Sequence, residues 1–319
     1  MKRVLITGAT GFVGANLARR LLRDGQEVHL LVRPVHSVWR IEDVREHVRL
    51  HEAALEDSES LARIVGDIRP DWIFHLAAHG AYPLQTDVRQ MVSANITGTM
   101  NLVEACLKIG FEAFVNTGSS SEYGFKDHAP SEEELLEPNS NYGVTKASAT
   151  LFCRHTAQKA GVHLPTLRLY SVYGPYEEPT RLMPSLIVKG LRGKLPPLVS
   201  PDIARDYVYV DDVSDAYLLA ATRPAEELGA IYNVGTGRQT SLSEVVLVAR
   251  RAMNIEAEPQ WGSMPERQWD TNVWVADSRK IQETLGWRAS HSFEQGFLKM
   301  LGWFQNNPAL WNFYNVSTT

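Results

Sequence analysis

The stretch Thr7-Gly8-Ala9-Thr10-Gly11-Phe12-Val13-Gly14 lies directly behind the apolar run Val4 to Ile6. It leads directly into Val13 to Arg23, where apolar residues recur at helical spacing. Glycines at such a junction allow a tight turn, close approach of the main chain to a pyrophosphate, and close packing of helix on strand. The free N–H groups at the helix start then face the anion. A glycine triplet alone marks no more than a turn. Between a first strand and a first amphipathic helix it predicts dinucleotide binding at Gly8, Thr10, Gly11, Phe12, Val13 and Gly14.

Outward from that loop, short apolar runs recur at Val28 to Val32, Trp72 to Leu76, Ala113 to Val115 and Leu164 to Leu169, and read as buried parallel strands. Helical spacing separates them at Ser58 to Val65, Asp87 to Lys108 and Tyr142 to Ala160. Alternation of this kind predicts an α/β fold, a Rossmann-type, right-handed, doubly wound parallel sheet. After Gly174-Pro175 the rhythm changes. Helices are expected near Leu182 to Leu191, Asp212 to Ala221, Leu242 to Ala252 and Phe293 to Phe304, with a strand pair around Tyr207 to Val210 and Ile231 to Val234. This predicts a dinucleotide-binding unit over 1–174 and a smaller C-terminal substrate-binding lobe over 175–319, intertwined because no linker separates them. Prolines at 175, 179, 196, 197 and 201 punctuate that lobe as loops lining a cleft.

At 319 residues, 44% hydrophobic and 22% charged, with 16 Pro and 22 Gly, the chain can bury a large core and is not a disordered or low-complexity protein. A net charge of −5 argues against a nucleic-acid or acidic-membrane partner, which would require a positive field. Cys106 and Cys153 stand outside any CxxC pair and read as buried thiols in a reducing compartment, so a cytoplasmic protein without a metal site is expected. Met1-Lys2-Arg3 runs straight into the first strand, and no apolar run reaches the roughly 18 residues of a membrane span, so neither span nor export signal is expected. The sequon Asn315-Val316-Ser317 is then a chance match.

The second strand ends His29-Leu30-Leu31-Val32-Arg33-Pro34. NAD-binding sheets carry an acid there for the ribose hydroxyls. Arg33 takes that place, followed by His36 and Arg40, and a guanidinium suits a 2′-phosphate, so NADP(H) is favoured with NAD as the alternative. Tyr142 and Lys146 stand four apart on one helical face, where the ammonium is expected to lower the phenol pKa and make Tyr142 a proton donor or acceptor. The small polar stretch Asn116-Thr117-Gly118-Ser119-Ser120-Ser121-Glu122-Tyr123-Gly124 supplies hydroxyls for a substrate carbonyl.

Together these motifs resemble the extended short-chain dehydrogenase/reductase family, with its nucleoside-diphosphate-sugar epimerases, dehydratases and ketoreductases. The likeness includes His75-Leu76-Ala77-Ala78, Asn95 in Asn-Ile-Thr-Gly-Thr, and Arg205-Asp206-Tyr207-Val208-Tyr209-Val210-Asp211-Asp212, and covers nearly the whole chain. The resemblance implies a catalytic set of Ser119 (Ser120 the near alternative), Tyr142 and Lys146. It places Leu55, Leu76, Ala77, Ala78 and Asn95 along the cofactor. It assigns His79, Ser171, Met183, Arg205 and Arg267 to a nucleotide-sugar substrate, the two arginines holding its diphosphate. It also implies a homodimer paired through the helices Asp87 to Lys108 and Tyr142 to Ala160.

Three departures narrow the activity. Where the family's 4,6-dehydratases carry Asp and Glu after the catalytic Thr, this chain has Ser120 and Ser121, which argues against dehydration unless Glu122, one step out of register, substitutes. Ala54 stands where the family's Asp meets adenine, and Ser171 where many epimerases have Asn. The remaining outcomes are NADPH-dependent reduction of a 4-keto-6-deoxy sugar nucleotide, as in deoxysugar biosynthesis, and C4 epimerisation with retained NAD; the arginine after the second strand favours the first. A non-catalytic dinucleotide sensor is the reading from another class, and the presence of both Tyr142 and Lys146 weighs against it.

Overall fold

The structure, a computed structural model, describes residues 1–82, 84–265 and 271–316. Strands β1 (Arg3–Thr7), β2 (Glu27–Val32), β3 (Arg49–Glu52), β4 (Trp72–His75), β5 (Ala113–Ser119) and β6 (Thr166–Leu169) alternate with helices α1 (Phe12–Arg23), α2 (Ser58–Ile68), α3 (Val88–Val92), α4 (Gly98–Ile109) and α5 (Asn141–Ala160). The second half adds β7 (Ser171–Tyr173), α6 (Leu182–Gly190), β8 (Ala204–Arg205), β9 (Tyr207–Tyr209), α7 (Val210–Thr222), β10 (Ile231–Val234), β11 (Thr240–Ser241), α8 (Leu242–Met253), α9 (Arg279–Leu285), α10 (Phe293–Asn306) and α11 (Trp311–Val316).

Seven parallel strands form the main sheet in the order β10-β6-β5-β4-β1-β2-β3. Val4, Leu5 and Ile6 have no exposed surface, as a strand covered on both faces requires. One apolar layer packs α1 and α7 against the sheet through Ala15, Leu17, Val213 and Tyr217. Another packs α2, α4 and α5 through Leu61, Val65, Leu102 and Cys153. A third core, with Met183, Leu186, Val245, Phe297 and Phe304, unites α6, α8 and α10. Strand order reverses between β1 and β4, and the crevice beyond their carboxyl ends is where ligands bind in sheets of this kind.

Three elements differ from the sequence expectation. Tyr207 to Val210 and Ile231 to Val234 do not pair: β9 joins β7 in a separate two-stranded sheet, while β10, buried at every residue, extends the main sheet beside β6. The long helix from Asp87 is divided, since a π-helical turn over Ser93–Thr97 separates α3 from α4. Its wider ring carries Asn95 inward. Strand β3 is an addition to the expected strands: Arg-Leu-His-Glu, on the sheet edge, has no apolar run. Cys106 and Cys153 are both buried. Among the described residues no helix is long and apolar enough to cross a membrane.

Candidate active site and cofactor cleft

The β1–α1 turn is built to be approached closely. Gly8 has a φ of +71°, and a Cβ there would lie 2.6 Å from the backbone of Leu76 and Ala77. A Cβ on Gly14 would strike the Gly8 carbonyl oxygen. The turn closes on a Gly11 N–H donated to the Gly8 carbonyl at 2.9 Å. Helix α1 starts at Gly11 with no side-chain cap and no acid in its first turn, so its N-terminal N–H groups remain for an anion. These features fit a dinucleotide pyrophosphate. Thr7 Oγ1 ties the turn to the next segment, accepting from Ala77 N at 3.2 Å and bonding His75 Nδ1 at 2.7 Å. His75 in turn reaches Thr99 Oγ1 at 2.9 Å. Burial, followed by the charge of Lys146, pushes the His75 imidazole down to about 3, so it works as a neutral strut. Leu76 and Ala77 are half-buried and Ala78 exposed along this cleft, while Leu55 belongs to the core beside Gly98.

Two residues expected at the cofactor have other work. Arg40 is buried and ion-paired with Glu178 at 2.8 Å, and its guanidinium also donates to the carbonyls of Tyr176 and Thr10. The expectation that it holds a 2′-phosphate is therefore corrected: Glu178 already balances its charge, and Arg40 straps the glycine loop to the 174–178 segment. Arg33, by contrast, is exposed immediately beyond β2. Asn95 is buried and bonded to protein on both faces of its amide, to His79 N at 2.8 Å, His79 O at 2.8 Å and Thr145 Oγ1 at 2.9 Å. It braces α5 and the His79 main chain.

Strand β5 ends on Ser119, and Ser140 caps α5 by accepting from Gly143 N at 3.1 Å, which places Tyr142 in the first turn and Lys146 in the second. Gly143 carries no side chain because a Cβ there would lie 2.5 Å from the Ser121 carbonyl, so helix and serine turn pack directly. The Tyr142 phenol lies within the influence of the Ser119 side chain, which draws its pKa down. Burial pushes that phenol up to about 12, against the pull of Ser119. The expectation that Lys146 lowers it is corrected in the free protein: desolvation of the phenolate prevails, and Lys146, 2% exposed, is itself lowered by burial. Tyr142 thus carries its proton at neutral pH.

Ser120 lies apart from this pair, its Oγ accepting from Trp274 Nε1 at 3.1 Å. Trp274 belongs to the second lobe and was not singled out by the sequence; no spacing rule connects positions 154 apart. Its ring centre lies 5.6 Å from the Arg205 guanidinium, which also donates to the carbonyls of Ala204 at 2.8 Å and Thr271 at 2.9 Å. One segment therefore links Arg205 to the serine turn. It borders a groove of roughly 690 Å³ lined by Phe125, Lys126, His128, Thr271, Asn272 and Val273. Ser171 sits on β7, its N–H bonded to the Asp206 carbonyl at 3.0 Å. The Met183 side chain, 1% exposed, packs in the core shared by α6, α8 and α10. Arg267 lies outside the described residues. Glu122, considered as a substitute base, is fully buried and ion-paired with Arg168 at 2.8 Å; a carboxylate held there does not reach substrate, and that possibility is corrected as well.

Glu177, 8% exposed, has Oε2 without a hydrogen-bond partner among the described residues. Burial pushes its carboxyl up to about 8, with Arg181, the Gly174 N–H and Arg40 opposing. The folded chain holds this proton more tightly than the unfolded chain, whose value is near 4.5. The stabilising contribution is complete below about 4.5 and is lost as pH rises through about 8. Thermal or urea unfolding across that range is expected to show a slope of up to about 1.4 kcal/mol per pH unit from this group, and Glu177→Gln to flatten it.

A profile of the NAD dependent epimerase/dehydratase family matches residues 4–235. The chain belongs to this family. Its members of this type are extended short-chain dehydrogenase/reductases, enzymes that use NAD(P). Family likeness extends over whole chains: dTDP-glucose 4,6-dehydratase of Streptomyces griseus is 27% identical over 97% of this chain and 95% of its own. The trifunctional UDP-glucose 4,6-dehydratase/UDP-4-keto-6-deoxy-D-glucose 3,5-epimerase/UDP-4-keto-L-rhamnose-reductase of Arabidopsis thaliana is 26% identical over 97% of this chain, which spans only 48% of that larger protein. The crystal structure of Thermus thermophilus UDP-glucose 4-epimerase complexed with NAD superposes with a TM-score of 0.83, at 29% identity over 95% of this chain and 99% of that one.

Proposed function

We propose that this family member reduces the 4-keto group of a nucleoside-diphosphate 4-keto-6-deoxyhexose with NADPH. The observation that carries this reading is the serine turn: Ser119 and the protonated phenol of Tyr142 converge there, while the positions of a dehydratase acid and base are the hydroxyls Ser120 and Ser121. A bound dinucleotide supplies the two-electron exchange with the sugar carbon. Tyr142 gives its proton to the carbonyl oxygen, Ser119 hydrogen-bonds the same oxygen, and the ammonium of Lys146 stabilises the phenolate left behind. Arg205, beside Trp274, holds the diphosphate in this reading. Residues 1–174 supply most of the cofactor cleft and 175–319 most of the nucleotide-sugar contacts. In the same reading the protein is cytoplasmic, and two copies pair through α3 and α5, where Val88, Val92, Val144 and Leu151 are exposed.

Exposed Arg33 in place of an acid supports NADPH. Arg33→Asp is expected to weaken NADPH binding about 10- to 100-fold and NADH binding far less, read by titration calorimetry. C4 epimerisation with a retained NAD is the second reading, favoured by the likeness to the NAD-containing 4-epimerase. Denaturing the purified protein and identifying the released dinucleotide by mass spectrometry separates the two. An empty site or NADP(H) supports the reductase; near-stoichiometric NAD replaces it with the epimerase.

A further inference from the structure

Behind the serine turn lies a buried ion pair that the proposed chemistry does not use. Glu122 closes the one-turn helix Ser120–Glu122, and both it and Arg168 of β6 are buried. Glu122 Oε1 accepts from the Ser119 main-chain N–H at 2.8 Å and from Thr150 Oγ1, on α5, at 3.0 Å. Oε2 accepts from Arg168 Nε at 2.8 Å. Arg168 Nη1 goes on to Tyr123 Oη at 2.8 Å, and that hydroxyl donates to Asn233 of β10 at 2.7 Å. The strand is shaped for the pair: Gly118 is in register with Arg168, and a Cβ there would lie 2.7 Å from Glu122 Oε1 and 3.0 Å from Arg168 Cγ. A single carboxylate oxygen thus joins the main chain of Ser119 to the helix that carries Tyr142 and Lys146.

Burying two charges does not by itself stabilise a fold, so the placement of this pair calls for a reason beyond packing. We propose that Glu122 is a positioning residue: held in the core by Arg168, it fixes Ser119 against α5 and places its negative charge against the helix that carries Tyr142 and Lys146. The inference rests on the reductase or epimerase reading of the Ser119, Tyr142 and Lys146 set. Burial disfavours the Lys146 ammonium, and the charge that most offsets this is that of Glu122. The titratable groups acting on Lys146 are Glu122, Cys153 on α5 and His75 on β4. Those acting on Tyr142 are Glu122, Arg181, Tyr82 and Tyr217.

The test replaces the pair by amides, Glu122→Gln with Arg168→Gln, which keeps hydrogen-bonding groups in place and removes both charges. Tyrosine labelled at the oxygen-bearing ring carbon reports the Tyr142 titration in the free protein by NMR, assigned through Tyr142→Phe. With the Glu122 charge gone, that titration is expected to move to lower pH. Turnover of a 4-keto sugar nucleotide is expected to fall about tenfold in kcat, with dinucleotide affinity within about twofold of the parent. A folded double variant whose Tyr142 titration superimposes on the parent's overturns the proposal, as does a kcat loss that only follows lost cofactor binding. The titration requires neither substrate nor cofactor, so it decides the matter even where the sugar reading fails. If the double variant does not fold, Thr150→Val removes the tether and keeps both charges. Its kcat is then expected to fall about three- to tenfold at unchanged KM, and a parental kcat overturns the proposal.

Discussion

Tyr142→Phe is expected to lower kcat about 10³-fold and leave dinucleotide binding within about twofold of the parent. In the proposed reaction the phenol is the proton source, and burial keeps it protonated. Removing its oxygen removes that source and leaves the ring, so α5 and the cleft keep their shape. Tyr142 stands in the first turn of a helix whose start is fixed by the Ser140 cap and by Gly143 against Ser121, neither of which depends on the hydroxyl. Single-turnover kinetics with a 4-keto sugar nucleotide, together with calorimetric titration of the dinucleotide, separates the two effects. A variant that loses both equally would make Tyr142 a structural residue.

Gly8→Ala carries the second large effect. A Cβ would meet the backbone of Leu76 and Ala77 at 2.6 Å, and backbone cannot rotate aside as a side chain can. The φ of +71° adds the cost of left-handed geometry for a residue with a side chain. The turn must move, and with it the N–H groups at the start of α1. Dinucleotide affinity is expected to fall about 100-fold or more, since charge-assisted contacts to a phosphate depend on that geometry. Gly25→Ala is the control. It shares a φ of +72° but meets nothing within 4 Å, so it is expected to cost about 1 kcal/mol of stability and no cofactor affinity. Equal binding by Gly8→Ala and the parent would remove the β1–α1 turn from the cofactor site.

What could be read from the sequence was what is local. The glycine loop, its strand and its helix are contiguous, and buried parallel strands announce themselves as apolar runs, as β1, β2, β4, β5 and β6 do. Tyr142 and Lys146 were visible for the same reason, being one helical turn apart. The parts that were not visible depend on partners far along the chain. Arg40 looks like a phosphate ligand until Glu178 is seen beside it, and the π-helical turn that brings Asn95 to His79 and Thr145 has no sequence signature. Trp274 over Ser120, and Arg168 beneath Glu122, are meetings of distant segments without a pattern of their own. The phenol of Tyr142 adds an energetic lesson. Four-residue spacing predicted a lowered pKa, but burial, which spacing does not reveal, raises it.

Reduction and epimerisation differ in the net direction of electron flow into the sugar carbonyl, which isotope transfer reads. The protein is mixed with a nucleoside-diphosphate 4-keto-6-deoxyhexose and NADPH deuterated at the transferable position, and the product is examined by NMR and mass spectrometry. A reductase consumes one NADPH per sugar and leaves one deuterium on C4. No NADPH consumption and no deuterium, with interconversion of a nucleoside-diphosphate hexose and its C4 epimer on a retained NAD, would contradict the reductase reading.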